Sequence, residues 1–354
     1  MNMKKLLIAL LVTIVVSSPR LYWQWKESTP LDVLIIDKTV PNEEYREHQG
    51  LLWFLTNEKI VKSDGQLYDG KIDYYGFDSY MQQPMANYKH YEAMDVIYIA
   101  DTYGVYSDDL EDFSNGDRSE KIYGGMTLPE WQEIMKSKQP HTKLIAEYNS
   151  FATPTEANVR QVMEQDLNVQ WSGWTGRYFE DLTSAEIPAW LIRNYEAQYE
   201  KQWTFKQGGL VFVNTSDQVV IIDDKELDGT VSFELTPAGQ ERLPGVKNSE
   251  YPYWFDIVTP MNEAVVYAQY ELAVADSAQQ VLAQHGIPRT FPAVTADERS
   301  NVYYLSGDFA DYTKDNLMKW QGSEHLMKLF SNEQSDFMWS TYIPLLQNII
   351  TPNR

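Results

Sequence analysis

The chain reads as an α/β protein: a parallel sheet with helices on both faces, plus a β-rich insertion. Four short apolar runs carry that reading: 31–38, 95–103, 143–149 and 302–308. Each runs straight into ionisable or hydrogen-bonding residues, the pattern of buried parallel strands. Helix signals lie between them, and strand–helix alternation implies a parallel sheet covered on both sides.

The elements follow in order. The first strand ends at Asp37. A helix is expected to open near Pro41-Asn-Glu-Glu44, with Pro and acids in its first turn. It carries Tyr45, His48, Leu51, Leu52 and Leu55 at helical spacing. A weaker strand is expected over Ile72–Phe77, and the next run ends at Asp101-Thr-Tyr103-Gly104. After Gly124-Gly125, Thr127-Leu-Pro-Glu130 is a capping box with Pro in the first turn. The third run ends at Glu147-Tyr-Asn149, and Thr153-Pro-Thr-Glu156 starts a helix that reaches about Leu167.

Residues 205–275 hold short β-rich runs separated by turns, read as a partly antiparallel insertion. The run at Val302 returns to the core sheet, and 316–350 reads as helical, interrupted near Ser331 and at Pro344. The division is therefore an N-terminal segment 1–25, an α/β core 26–204, the insertion 205–275, and 276–354 as return to the core sheet and C-terminal helices. There is no internal repeat.

The N-terminus opens with Lys4 and Lys5, followed by Leu6–Val16, all apolar or Thr. Tyr22, Trp23 and Trp25 are residues expected at a membrane interface. A signal peptide cut after Val16-Ser17-Ser18 would leave Pro19 next to the cut, a poor context. An uncleaved anchor from about Leu6 to Trp25 is the preferred reading, with Arg20 snorkelling. The basic start keeps the N-terminus inside. The expectation is a single-pass cell-membrane protein with the bulk of the chain extracytoplasmic and the lipid bilayer as partner of the N-terminal helix.

The formal charge of −22 excludes nucleic acid as a partner, because binding a polyanion needs clustered Lys and Arg. The acidic stretch Ser107–Asp112 lacks EF-hand spacing and reads as a solvated loop. The absence of Cys removes disulfides and thiolate chemistry. Five scattered His give no zinc spacing, and no metal or cofactor is expected. Serine-hydrolase, P-loop and dinucleotide motifs are absent. The 24 Tyr and 11 Trp suit either a carbohydrate binder or a Tyr-rich core and surface.

Ligands of open α/β sheets bind beyond the carboxyl ends of the strands. The catalytic candidates are therefore the strand-end acids Asp37, Asp101 and Glu147. Paired carboxylates suit acid–base work on a glycosidic bond; capping or ion pairing would serve the same residues structurally. Ligand-binding candidates are Tyr103, Asn149, His48, Asp308 and the segment Trp171-Ser-Gly-Trp174-Thr-Gly-Arg177. That segment reads as a loop in which Trp and Arg meet a sugar or carboxylate, or as one that plugs the core. His48 reads equally as a packing residue. Tyr253–Asp256, Arg289 and Asp311 are further candidates at the edge of the site.

The order of these runs resembles the class I glutamine amidotransferase-like fold, within it the trehalose-utilisation-protein-like branch, and so implies a flavodoxin-like or amidotransferase-like core. The features that carry it are Asp95–Gly104, the Gly124-Gly125 approach to a helix, and Asn301–Asp308. It spans about 31–182 and 290–330. In that branch the late strand commonly ends in Gly-His, and Asp308 stands where the His would be. True amidotransferases carry a Cys at the strand-to-helix elbow; the matching place here is Glu147-Tyr-Asn149. The resemblance thus implies the fold without the amidotransferase reaction. The expected function is to bind an envelope ligand, either carbohydrate or an envelope protein. The alternative is a carboxylate-dependent hydrolase of cell-envelope or extracellular polysaccharide.

Overall fold

The computed structural model describes residues 13–14, 17–85, 93–110, 116, 118–313, 318–331 and 336–351. Residues 17–25 form a helix, α1. Then come β1 (Thr29–Pro30), β2 (Val33–Asp37), α2 (Arg46–Asn57), β3 (Ile60–Val61), β4 (Tyr75–Asp78), β5 (Gln83–Pro84), β6 (Met94–Asp101), β7 (Val105–Tyr106) and β8 (Lys121–Tyr123). They are followed by α3 (Leu128–Lys136), β9 (Lys138–Ala146), α4 (Ala157–Leu167), β10 (Val169–Phe179), α5 (Ala189–Tyr199), β11 (Gly209–Asn214), β12 (Val219–Asp223) and β13 (Leu227–Leu235). The rest are α6 (Pro237–Arg242), β14 (Ser249–Glu250), β15 (Phe255–Pro260), β16 (Val265–Val274), α7 (Asp276–Gln284), β17 (Thr290–Asp297), β18 (Val302–Leu305), α8 (Ser323–Leu329) and α9 (Ile343–Ile350).

A ten-stranded mixed sheet organises the chain. Its centre is five parallel strands in the order β4-β2-β6-β9-β18. Antiparallel β17, β16, β13 and β14 extend one side, and β5 the other. Side-chain parity decides which face each residue serves. Val33 and Ile35 of β2, Val96 and Tyr98 of β6, and Ile145 of β9 enter the larger core with α2 and α9. Leu34, Ile36, Ile97, Ile99, Leu144 and Ala146 enter the opposite core with α3 and α4. The capping box is formed as expected: Thr127 accepts from the Glu130 amide, and Glu130 accepts from that of Thr127.

Four local expectations are corrected. The helix after β2 starts at Arg46 rather than near Pro41, because Tyr45 takes a left-handed turn. The weaker strand lies at Tyr75–Asp78, shifted from Ile72–Phe77. The segment around Trp171–Arg177 is not a loop but β10, a central strand of a second sheet, β12-β11-β10-β15. A bulge between Trp171 and Thr175, with Gly173 at φ +88°, hides the alternation that would have revealed the strand. The β-rich stretch 205–275 is shared between two sheets: β13, β14 and β16 widen the main one, whereas β11, β12 and β15 build the second with β10.

Residues 1–12 and 15–16 of the expected anchor lie outside the described residues. Among those described, no helix is long and apolar enough to cross a membrane. Trp23, read as an interface aromatic, is instead buried; its indole N–H donates to the carbonyls of Thr56 and Asn57 at the end of α2.

Trp53 of α2 is fully buried and meets Trp339 edge to face at 4.8 Å. Trp53→Ala should cost about 3–5 kcal/mol by cavity formation. Urea unfolding measures this; a loss below about 1 kcal/mol would mean the site collapses freely or the contact matters little.

Candidate functional site

The acids gather at the carboxyl edge of the parallel strands. Parity puts Asp37 on the α2 face, and a register shift after Ile36 makes Asp101 its direct neighbour. Thr39 bridges the two: its amide donates to Asp37 Oδ1 at 3.0 Å and its hydroxyl to Asp101 Oδ1 at 2.6 Å. Asp101 also accepts from the Tyr103 amide and from Asn149 Nδ2. Burial, and Asp37 beside it, push the Asp101 carboxyl up to about 7 against these donors.

Asp37 Oδ2 lies 2.6 Å from His48 Nδ1, and His48 Nε2 lies 3.0 Å from the Gly70 carbonyl. A carbonyl only accepts, so Nε2 carries a proton and Nδ1 shares one with Asp37. Both side chains are fully buried, which makes His48 a pin between β2, α2 and the Gly70 turn. Gly76 is required beside them: a Cβ there would sit 1.6 Å from the Asp37 carbonyl oxygen.

Glu147, one residue beyond β9, is fully buried. It accepts from the Tyr98 hydroxyl and from the amides of Phe309 (3.2 Å) and Ala310 (3.0 Å). Tyr98 in turn contacts Tyr342 at 2.8 Å. Burial pushes the Glu147 carboxyl up to about 8 in spite of its donors.

Holding the 309–310 amides brings Asp308 and Asp311 to the same edge. With Glu47 of α2, their carboxylate oxygens lie within 4.8 Å of one another, close enough for a cation to bridge. Burial raises Glu47 and Asp308 well above the carboxylate range, and neighbouring acids raise them further: Asp311 and Asp101 act on both, Asp37 on Glu47, and Glu47 and Glu147 on Asp308. Arg46 answers them from one flank, 3.0 Å from Asp311 and 3.2 Å from Glu47. Asp256 of β15 is a further buried acid: Oδ2 accepts from Tyr304 and the Asn149 amide, while Oδ1 has no hydrogen-bond partner. Burial pushes it up to about 7.

The remaining candidates divide. Asn149 sits at the turn leaving β9 with φ +63°, between Asp101 and Asp256. Tyr103 is 40% exposed and packs on Tyr106. Trp171 and Trp174 are buried in the two cores, and the Trp171 indole donates to the Trp174 carbonyl. Arg177 pairs with Glu186 at 2.7 Å, lies over the Phe179 ring, and its charge also acts on Asp311 and Tyr253. Sequence reasoning missed Glu47 and Arg46, although they are adjacent to His48. Lys38, which as the neighbour of Asp37 could have paired with a strand-end acid, is turned by parity to the α3 face. There Lys38 Nζ meets Glu130 and the Gly125 carbonyl, each at 2.8 Å.

No protein-family model matches this sequence, and no curated protein sequence matches it either.

Asp101, Glu147 and Asp256 hold protons in the folded state that the unfolded chain releases near pH 4. Between about pH 4 and 8 the unfolded state therefore binds fewer protons, so stability falls as pH rises through this window. Denaturant unfolding across pH should show this slope, and Glu147→Gln should flatten its upper part. A slope of opposite sign would show that these acids are ionised when folded.

Proposed function

We propose that this protein is a membrane-anchored, extracytoplasmic carbohydrate-binding protein that uses the carboxyl edge of its parallel sheet as the site. The core strand order, numbered along the chain, is 2-1-3-4-5, the flavodoxin-like order. In such sheets the ligand crevice lies where the chain reverses direction, between the first and third strands. Those strands are β2 and β6, which end in Asp37 and Asp101. The observation that carries the reading is the meeting of Asp308, Asp311, Glu47 and Asp101 at that edge.

Carboxyl groups held close together exchange hydrogen bonds with neighbouring hydroxyls, which sugars supply. Tyr253 and Tyr103 near these acids offer ring faces for the apolar side of a sugar. The same edge is where an amidotransferase-like core would place its nucleophile, and with no Cys the ligand is bound without that reaction.

The test is thermal unfolding of the full chain against neutral wall and exopolysaccharide fragments. A ligand of the folded form raises the melting temperature by mass action. Asp308→Asn should weaken binding by about tenfold, the scale of one lost hydrogen bond. No shift with any neutral glycan would remove this reading.

A second reading, hydrolysis by paired carboxyls, is favoured by Asp101, which at about 7 can serve as the protonated acid at neutral pH. Turnover of a bound glycan should then fall above about pH 7 and be lost in Asp101→Asn. A bound glycan that is never cleaved at any pH leaves the binding reading alone.

A further inference from the structure

From the acid edge an excursion of the chain leads across to the second sheet. Asp101 accepts from the Tyr103 amide, and the Gly104 amide donates to the Thr39 hydroxyl that bridges Asp101 to Asp37. There β7 leaves the core and pairs with β8, Val105 with Tyr123 and Tyr106 with Lys121. The exit is tight: a Cβ at Gly104 would sit 2.0 Å from the Tyr123 carbonyl oxygen, and one at Gly124 2.3 Å from that of Tyr103. The base of the excursion is therefore fixed to the acids by backbone. Its far part reaches α5, where the Trp190 amide donates to the Gly116 carbonyl at 3.0 Å. Arg118 pairs with Asp217, in the turn between β11 and β12.

Along this path each exposed group is backed by a ring. Tyr103 is 40% exposed, and the Tyr106 ring lies 4.8 Å from it at 32°. The Arg118 side chain is 55% exposed, and its guanidinium lies 4.4 Å over the Trp190 ring. Arg118 stands close enough to the two tyrosines for its charge to act on both phenols, against that of Asp109. Asp101, Tyr103, Arg118 and Asp217 thus follow one another from the core sheet to the second. An exposed ion pair such as Arg118–Asp217 adds little to stability. A backing ring, however, fixes the direction of each group before a ligand arrives, and groups fixed in advance lose little freedom on binding.

We infer that the ligand is a chain of linked, uncharged sugars: the acid edge takes one unit, and further units lie along Tyr103 and then Arg118–Asp217. This rests on the carbohydrate reading and adds chain length to it. Tyr103 offers a ring face to the apolar side of a sugar. Beyond it, Arg118 supplies N–H donors and Asp217 a carboxylate acceptor, which suits hydroxyls that both give and accept. Asp108, Asp109, Glu120 and Asp217 outnumber Arg118 and Lys121 along the excursion, which disfavours a polyanionic glycan.

The test is calorimetric titration of the full chain with neutral wall and exopolysaccharide fragments fractionated by length, and with glucose and N-acetylglucosamine oligomers from dimer to hexamer. The quantity read is the ratio of dimer to hexamer dissociation constants for one sugar type. The expected ratio is roughly tenfold in favour of the hexamer, the scale of one added ring contact with its hydrogen bonds. Arg118→Ala and Tyr103→Ala should each bring it toward one, whereas Asp308→Asn should weaken both lengths and leave the ratio standing. Two variants guard against loss of folding, which the unliganded melting temperature reports. Equal affinity for all lengths would overturn the inference and leave the carbohydrate reading in place. So would a ratio that survives both substitutions, since longer chains then bind better without these groups. Silence from every fraction would remove the carbohydrate reading and this inference with it.

Discussion

The Glu147 carboxylate joins distant parts of the chain. It stands at the end of β9, and the amides it binds belong to Phe309 and Ala310, beyond the last core strand. Ala310 is in turn fixed to α2: its carbonyl accepts from the Gly50 amide at 2.8 Å, and a Cβ at Gly50 would sit 2.8 Å from that oxygen. One buried side chain therefore sets the 308–311 loop against the sheet and, through Gly50, the start of α2 against the loop. Asp308, Asp311 and Glu47 meet because of it. A buried carboxyl without such donors would be far more costly.

The cluster that results is held against its own electrostatics. Several carboxyls share a poorly solvated edge, with Arg46 and, at a distance, Arg177 as counter-charges. Burial keeps protons on these groups, pushing Asp101 and Asp256 up to about 7 and Glu147 up to about 8, and this relieves part of the repulsion. Packing alone would favour apolar residues in these places.

The two ends of α2 hold different parts of the molecule. Its start faces the acids, and its end receives Trp23 and the α8 segment. The large core between them is shared by both sheets, with Phe212 and Phe255 of the second sheet packed into the same cluster as Tyr98 and Tyr270. Gly307 joins that sheet to the main one beside the site: it bridges Phe255, and a Cβ would fall 2.2 Å from the Tyr270 hydroxyl.

By itself the sequence determined the parallel strands of the core, the capping box at Thr127 and the acids at the strand ends. These are local matters: apolar runs, a Thr-x-x-Glu spacing, and the change from buried to polar at Asp37, Asp101 and Glu147. The absence of Cys likewise closed off thiol chemistry without any structure. What only the tertiary structure decided was which of these groups meet. Strand parity sent Lys38 to one face and Asp37 to the other, and a one-residue register shift paired Asp37 with Asp101. A bulge concealed β10, so its segment read as a loop when it is a strand, and of the two readings of its Trp residues the structure shows the core one. Glu47 carries no mark in the sequence, because its place beside Asp308 depends on a contact between residues some 260 positions apart. Such contacts follow from how elements pack, which no local pattern records.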